Sequence, residues 1–184
     1  MYSANLLLVI LALCSYNRLN YCNPIISNNM RIEQTIASTL TKRKLTLAIA
    51  ESCTGGLLSD TLTNIPGSSV FFVGGIIAYA YFAKTKVLGV PSTLLKKHGA
   101  VSPQVASKMA QGVRKALKAS FGIGITGIAG PGGATKNKPV GLVYIAINQA
   151  KQAHVHEFRF KGSRLQNKKQ AVNAALRILL SMLE

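Results

Sequence analysis

Carboxylates are nearly missing from this chain. Its 184 residues hold five Asp and Glu against 22 Lys and Arg, a formal net charge of +17. The five acids, Glu33, Glu51, Asp60, Glu157 and Glu184, are too scattered for a catalytic carboxylate pair or the oxygen cage of a Ca²⁺ or Mg²⁺ site. Three cysteines exclude a disulfide framework, and 16 glycines exclude a collagen-like repeat. The apolar run Leu6–Leu13 is too short to cross a bilayer, and no Lys or Arg precedes it as an export signal requires.

What is present is core material. Hydrophobic residues make up 48% of the chain, which excludes disorder and fits one domain. The charge admits nucleic acid, an anionic membrane or a phosphorylated small molecule as partner. Basic residues are dispersed rather than gathered in an arm, and no basic stripe is interleaved with aromatics, so specific nucleic-acid binding is not expected. Residues 1–29 read as an N-terminal extension, disordered or preceding the true start, and residues 30–184 as the functional domain, opening at Met30.

The pattern along that domain alternates helix and strand. Ile32, Ile36 and Leu40 predict a first helix ending near Arg43, and Leu45–Ala50 a buried strand. A tight turn at Glu51–Gly56 leads into a helix carrying Leu57, Leu58 and Leu62. Val70–Ala80 reads as a longer buried strand, with short helical pieces at Lys84–Val90 and Leu94–His98. Ser102-Pro103 is a cap and first-turn proline for a helix with Val105, Met109, Val113 and Leu117 on one face. Phe121–Thr126 is a third strand, and Val140–Asn148 with His154–Phe160 a strand pair. Ser163-Arg-Leu-Gln166 has capping-box spacing and opens a last helix bearing Val172, Leu176, Leu179 and Leu183. The expected fold class is α/β: a single three-layer α/β/α domain with a mixed sheet of about five strands.

Gly122-Ile-Gly-Ile-Thr-Gly127 satisfies the dinucleotide fingerprint G-x-G-x-x-G, but no helix can start in the Ile-Ala-Gly-Pro-Gly-Gly that follows. No acid stands between Asp60 and Glu157 to bind a ribose either. The glycine-rich loop Gly127–Gly133 could still wrap an anion. His154-Val-His156 has no third ligand nearby and reads as strand surface, so no metal is expected. The strand–turn–helix at residues 45–58 can project Ser52 beside helix amides that would hold an oxyanion. Without a histidine triad, the alternative base is a lysine desolvated enough to be neutral. Lys84 follows the apolar run 70–80, with Tyr79 placed to pass a proton. Cys53 is the alternative nucleophile.

Six motifs occur in order: Ala50-Glu-Ser-Cys-Thr-Gly-Gly56, Pro66-Gly-Ser-Ser69, Gly74-Gly75 through Tyr79 to Lys84, Leu88-Gly-Val-Pro91, His98-Gly-Ala-Val-Ser102 and Gly124-Ile-Thr-Gly-Ile-Ala-Gly-Pro-Gly132. Through them the chain, from about residue 31 to 183, resembles the C-terminal domain of the competence/damage-inducible CinA family in its stand-alone form, known as nicotinamide-nucleotide amidase or NMN deamidase. The resemblance implies a cytoplasmic homo-oligomer of pyridine nucleotide salvage, with no cofactor and no membrane association. It would hydrolyse the carboxamide of nicotinamide mononucleotide to nicotinate mononucleotide and ammonia. The family's nucleophile falls on Ser52, its tyrosine and lysine on Tyr79 and Lys84, its loop threonine on Thr126 and its basic residue on Arg164. Gly55 and Gly130 fall in the two backbone segments that would contact substrate.

Two departures stand out. Gly162-Ser163-Arg164 replaces the family's Gly-Asp-Arg, an exchange of one good N-cap for another. Ala80-Tyr81-Phe82 is more apolar than usual; facing the pocket it would alter substrate fit, and facing a subunit partner it would change little. The competing reading is a non-catalytic module binding a nucleotide or nucleic acid.

Overall fold

The computed structural model describes residues 31–150 and 152–184; the extension read over residues 1–29, and Met30, lie outside the described residues. Helix α1 (Ile32–Lys42) leads to strand β1 (Leu47–Glu51), helix α2 (Leu57–Thr63) and strand β2 (Phe72–Ile77). Short helices α3 (Tyr81–Lys86) and α4 (Ser92–His98) precede the longer α5 (Pro103–Ala116). Strands β3 (Phe121–Gly127), β4 (Leu142–Gln149) and β5 (Gln152–Arg159) follow, and α6 (Arg164–Leu183) closes the fold.

The sheet has five strands in the order β2-β1-β3-β4-β5. β1 pairs parallel with both β2 and β3, whereas β3–β4 and β4–β5 are antiparallel. α1, α2 and α6 cover one face, packing on Leu47, Ile49, Phe121, Ile123, Ile125, Val143, Ile145 and Ile147. On the other face α5 lies over the small side chains Ala48, Ala50 and Ala146 and over two glycines. This is the three-layer α/β/α domain that the pattern predicts.

The glycines of the abortive dinucleotide fingerprint have a packing role. A Cβ on Gly122 would collide with the Ala110 carbonyl and come within 2.6 Å of Arg114 Cβ. One on Gly124 would collide with the Ala106 carbonyl and come within 2.6 Å of the Ala110 amide. Removing side chains at these two positions lets α5 lie directly on β3.

Two element readings change. The run Val70–Ala80 is not a long buried strand: Ser68–Val70 form a 3₁₀ turn and only Phe72–Ile77 pair. β2 is a sheet edge with its faces alternately covered and open, leaving Val73 46% and Ile77 57% exposed. An unbroken apolar run conceals that alternation. The next helix starts at Tyr81 rather than Lys84, which places Lys84 on its buried side. A lysine does not register as a core position in a hydrophobic pattern. The two caps read from sequence form: Ser102 Oγ accepts from the Val105 amide at 3.4 Å, and Ser163 and Gln166 make the reciprocal capping box.

Candidate active site

The site lies at the carboxyl ends of the parallel strands, where open α/β sheets bind ligands. Ser52 directly follows β1, and its amide donates to the Ile125 carbonyl at 3.0 Å. The turn behind it bends sharply through Gly55 (φ 65°) and Gly56 (φ 98°), consecutive left-handed conformations that suit glycine. Glu51, fully buried at the last position of β1, secures that turn. Its Oε2 accepts from the amides of Gly56 (3.0 Å) and Leu58 (3.2 Å), and its Oε1 from the amide (2.9 Å) and hydroxyl (2.8 Å) of Ser59. The carboxylate thereby takes up amides at the start of α2 that the N-cap Gly56, which has no side chain, leaves uncapped.

Lys84 approaches from α3 and is 1% exposed. Its Nζ contacts Ser52 Oγ at 3.0 Å, the Ala78 carbonyl at 2.6 Å and the Tyr79 carbonyl at 3.1 Å. Burial lowers its pKa below the ordinary 10.5, against a smaller opposing contribution from Cys53. A neutral amine has two N–H groups and one lone pair. The two carbonyls can only accept, so they occupy both N–H groups and turn the lone pair toward the serine hydroxyl. In the charged form the third N–H points at Ser52 Oγ instead. The geometry of the lysine–serine contact suits proton transfer in either direction.

Cys53, buried beside Ser52, is poorly suited to attack. Burial first, and the nearby Glu51 charge as a further contribution, push its thiol up to about 11. Thr126 Oγ1 donates to the Ala100 carbonyl at 2.9 Å, and Lys138 Nζ donates to the carbonyls of His98 (2.6 Å) and Val101 (2.7 Å). Together they hold segment 98–102 over the ends of the strands. From the start of α6, Arg164 donates to the Gly130 carbonyl at 2.7 Å and to the Tyr79 hydroxyl at 3.1 Å. The open cavity there, about 240 Å³, is lined by Ser52, Cys53, Lys84, Thr126, Gly130 and Arg164 among others.

Residues 29–183 match the CinA C-terminal domain family. The chain belongs to that family. A Moorella thermoacetica protein whose name places it among competence-damage inducible proteins is 52% identical over 148 residues, 80% of this chain and 36% of its own length. A CinA-like protein of Desulfotalea psychrophila is 48% identical over 148 residues, again 80% of this chain and 36% of the relative. The chain thus spans about a third of the length of the curated relatives it matches. Among solved structures, the competence/damage inducible protein CihA of Agrobacterium tumefaciens superposes with a TM-score of 0.81 at 38% identity, covering 83% of this chain and 94% of that one.

Within this CinA domain, Ser52, Tyr79, Lys84, Thr126, Gly130 and Arg164 all line one cavity. Tyr79 differs in detail from the relay expected of it. Its carbonyl, not its hydroxyl, meets Lys84, and its hydroxyl accepts from Arg164. Gly55 stands outside the lining, because its amide closes the turn onto the Ser52 carbonyl at 3.2 Å. Of the turn after β1, Ser52 and Cys53 line the cavity, whereas Thr54 is fully buried and outside the lining. Ala80, Tyr81 and Phe82 do not line the cavity; the Tyr81 hydroxyl accepts from the Ala100 amide at 3.3 Å. His154 and His156 stand exposed on the edge strand β5, and no cluster of three or more His, Cys, Asp or Glu side chains occurs among the described residues.

Pattern reading missed Glu51, Lys138 and the roofing segment 98–102. For Glu51 a signal existed: in a chain with so few acids, one ending an apolar strand just before a glycine turn is a candidate to cap the next helix.

Proposed function

We propose that this CinA domain hydrolyses the carboxamide of nicotinamide mononucleotide to nicotinate mononucleotide and ammonia. The observation that carries the reading is Lys84 Nζ, buried and held by two carbonyls, 3.0 Å from Ser52 Oγ. Neutral Lys84 accepts the Ser52 proton as Oγ attacks the carboxamide carbon. Backbone amides of the turn at Ser52–Gly55 or of the Gly127–Gly133 loop hold the oxyanion that forms. Collapse breaks the C–N bond, and Lys84 returns its proton to the departing ammonia. Water, deprotonated by Lys84, then cleaves the acyl-enzyme and restores the Ser52 hydroxyl. Every step uses side chains and backbone already present, so no cofactor enters.

Arg164 belongs to the same proposal as the residue that meets the substrate phosphate. Only two of its guanidinium N–H groups have partners here, and both partners lie on the cavity lining. The further parts of the reading are a cytoplasmic setting and a homo-oligomer. Among the described residues no helix is long and apolar enough to cross a membrane. Exposed Val73, Ile77 and Phe82 supply apolar surface that a second copy would cover.

The test is ammonia release from nicotinamide mononucleotide. Ser52→Ala should lose roughly 10⁴-fold or more of the activity, with Cys53→Ala close to wild type. Full activity in Ser52→Ala with loss in Cys53→Ala would move the nucleophile to the thiol. For Arg164→Ala, KM for the mononucleotide should rise more than kcat falls, and nicotinamide riboside should be far less affected. Equal losses on both substrates would withdraw phosphate reading from Arg164.

A further inference from the structure

Segment 98–102 roofs the cavity without joining the sheet. Among the described residues no backbone hydrogen bond ties it to a strand, and its four carbonyls from His98 to Val101 accept only from side chains. Ser102 Oγ serves Gly99 (3.1 Å) and Thr126 Oγ1 serves Ala100 (2.9 Å). Lys138 Nζ serves the carbonyls at the two ends, His98 at 2.6 Å and Val101 at 2.7 Å. Covered carbonyls need partners, and two of these four depend on one lysine.

That lysine is itself well placed. The amides of Thr135 and Lys138 donate to each other's carbonyls at 2.9 and 3.1 Å, closing a two-residue turn beyond the glycine-rich loop. The base of this excursion is closed too: the Ile128 amide donates to the Leu142 carbonyl (2.8 Å) and the Gly141 amide to the Ile128 carbonyl (2.7 Å). On the roof side Gly99 lies at φ 72°, and a Cβ there would stand 3.2 Å from Lys138 Nζ. The roof backbone thus admits the lysine where a side chain would crowd it. Lys138 does not line the cavity, but both stretches it joins do: Ala100 and Val101 on the roof, Ile128 and Ala129 at the start of the loop.

We propose that Lys138 is a positioning residue, a strut that sets the spacing between the roof and the glycine-rich loop and so holds a carboxamide substrate at attack distance from Ser52. The inference rests on the amidase reading above and adds the residue that orients the substrate. The aliphatic side chains of roof and loop offer no directional contact to a flat ring. Its orientation is therefore fixed by how far apart they stand, and reaction needs the carboxamide carbon within about 3–3.5 Å of Ser52 Oγ.

The test compares the full chain with Lys138→Met by amide hydrogen exchange and by ammonia release from nicotinamide mononucleotide. Exchange over residues 99–102 should quicken about tenfold or more, with β1 and β3 unchanged. The kcat should fall about 10²-fold, the usual consequence of a reacting atom displaced by about 1 Å, while KM rises less than about threefold. Lys138→Cys alkylated with bromoethylamine, in which the thiolate displaces bromide and leaves an amine at lysine length, should recover most of the kcat. Wild type treated alike controls for the other cysteines. Unchanged exchange over residues 99–102, a KM that rises as far as kcat falls, a Tm lowered by more than about 3 °C, or no recovery after alkylation would each overturn the positioning role. The two readings fail separately. Wild-type protein that releases no ammonia, while exchange over residues 99–102 still depends on Lys138, removes the amidase and keeps the strut; turnover and exchange indifferent to Lys138 do the reverse.

Discussion

Two buried ionisable side chains flank Ser52, the proposed nucleophile, and the fold treats them in opposite ways. Glu51, on the α2 side, meets four donors: three amides and a hydroxyl. Lys84, on the α3 side, meets two carbonyls and the serine, with no carboxylate in contact. Burying a charge is costly unless its surroundings supply complementary groups. For the carboxylate those groups are complete, so Glu51 is a structural anchor. For the lysine they are two carbonyls and a hydroxyl with no opposite charge, so burial lowers its pKa toward the state a general base needs. Similar burial thus yields a brace on one side of Ser52 and a reactive group on the other.

The sharpest way to break this contrast is Lys84→Met, which keeps much of the buried volume and removes the base. Ammonia release should fall about 10²–10⁴-fold. In wild type the acid limb of kcat/KM should lie below 10.5, because burial lowers the Lys84 pKa, and the variant should lack it. The sign for stability follows from the same shift. The folded state binds this proton less tightly than the unfolded state does, so wild type should gain stability relative to Lys84→Met as pH rises from the folded pKa toward 10.5. Thermal melts of both proteins across that range check this; a constant difference would show that Lys84 titrates normally.

On the other side, Glu51→Ala strands the amides at the start of α2 and should cost about 3 kcal/mol in denaturant melts, with Glu51→Gln milder. A loss below about 0.5 kcal/mol would mean that water replaces the carboxylate and that the turn needs no brace.

Gly124→Ala probes the packing beneath the site. Collision with α5 backbone should cost about 1–3 kcal/mol, whereas a glycine kept for ligand approach would leave the ligand-free melt unchanged.

The smallest effect is expected at Cys53, which sits between the two groups. With its thiol pushed up to about 11, iodoacetamide at pH 8 should find a thiolate fraction on the order of 10⁻³ and react far more slowly than with an ordinary cysteine. Rapid alkylation that also blocks ammonia release would return the thiol to contention.

Helices α1, α5 and α6 and the capping residues Ser102 and Ser163 were legible because caps and helical periodicity are local, written within a few residues of where they act. The layered class was legible too, from the alternation of such segments. The edge position of β2 was not: whether an apolar run is covered on one face or two depends on which strand it pairs with. Among the site residues, Ser52 stood out from its strand–turn–helix context and Lys84 from elimination of other bases.

What the sequence determined by itself was therefore the set of elements, the shortage of acids and the choice of Ser52 and Lys84 as the candidate pair, all properties of residue type and local spacing. Tertiary structure alone decided that two backbone carbonyls hold Lys84 in reach of Ser52, that Glu51 braces a helix rather than takes part in chemistry, and that Arg164 joins Tyr79 to Gly130 across the cavity. The Lys84–Ser52 and Arg164 contacts join segments far apart in the chain. The Glu51 and Lys84–carbonyl contacts span fewer than ten residues, but they depend on how the turn and helix fold back on their strand, which local pattern does not encode.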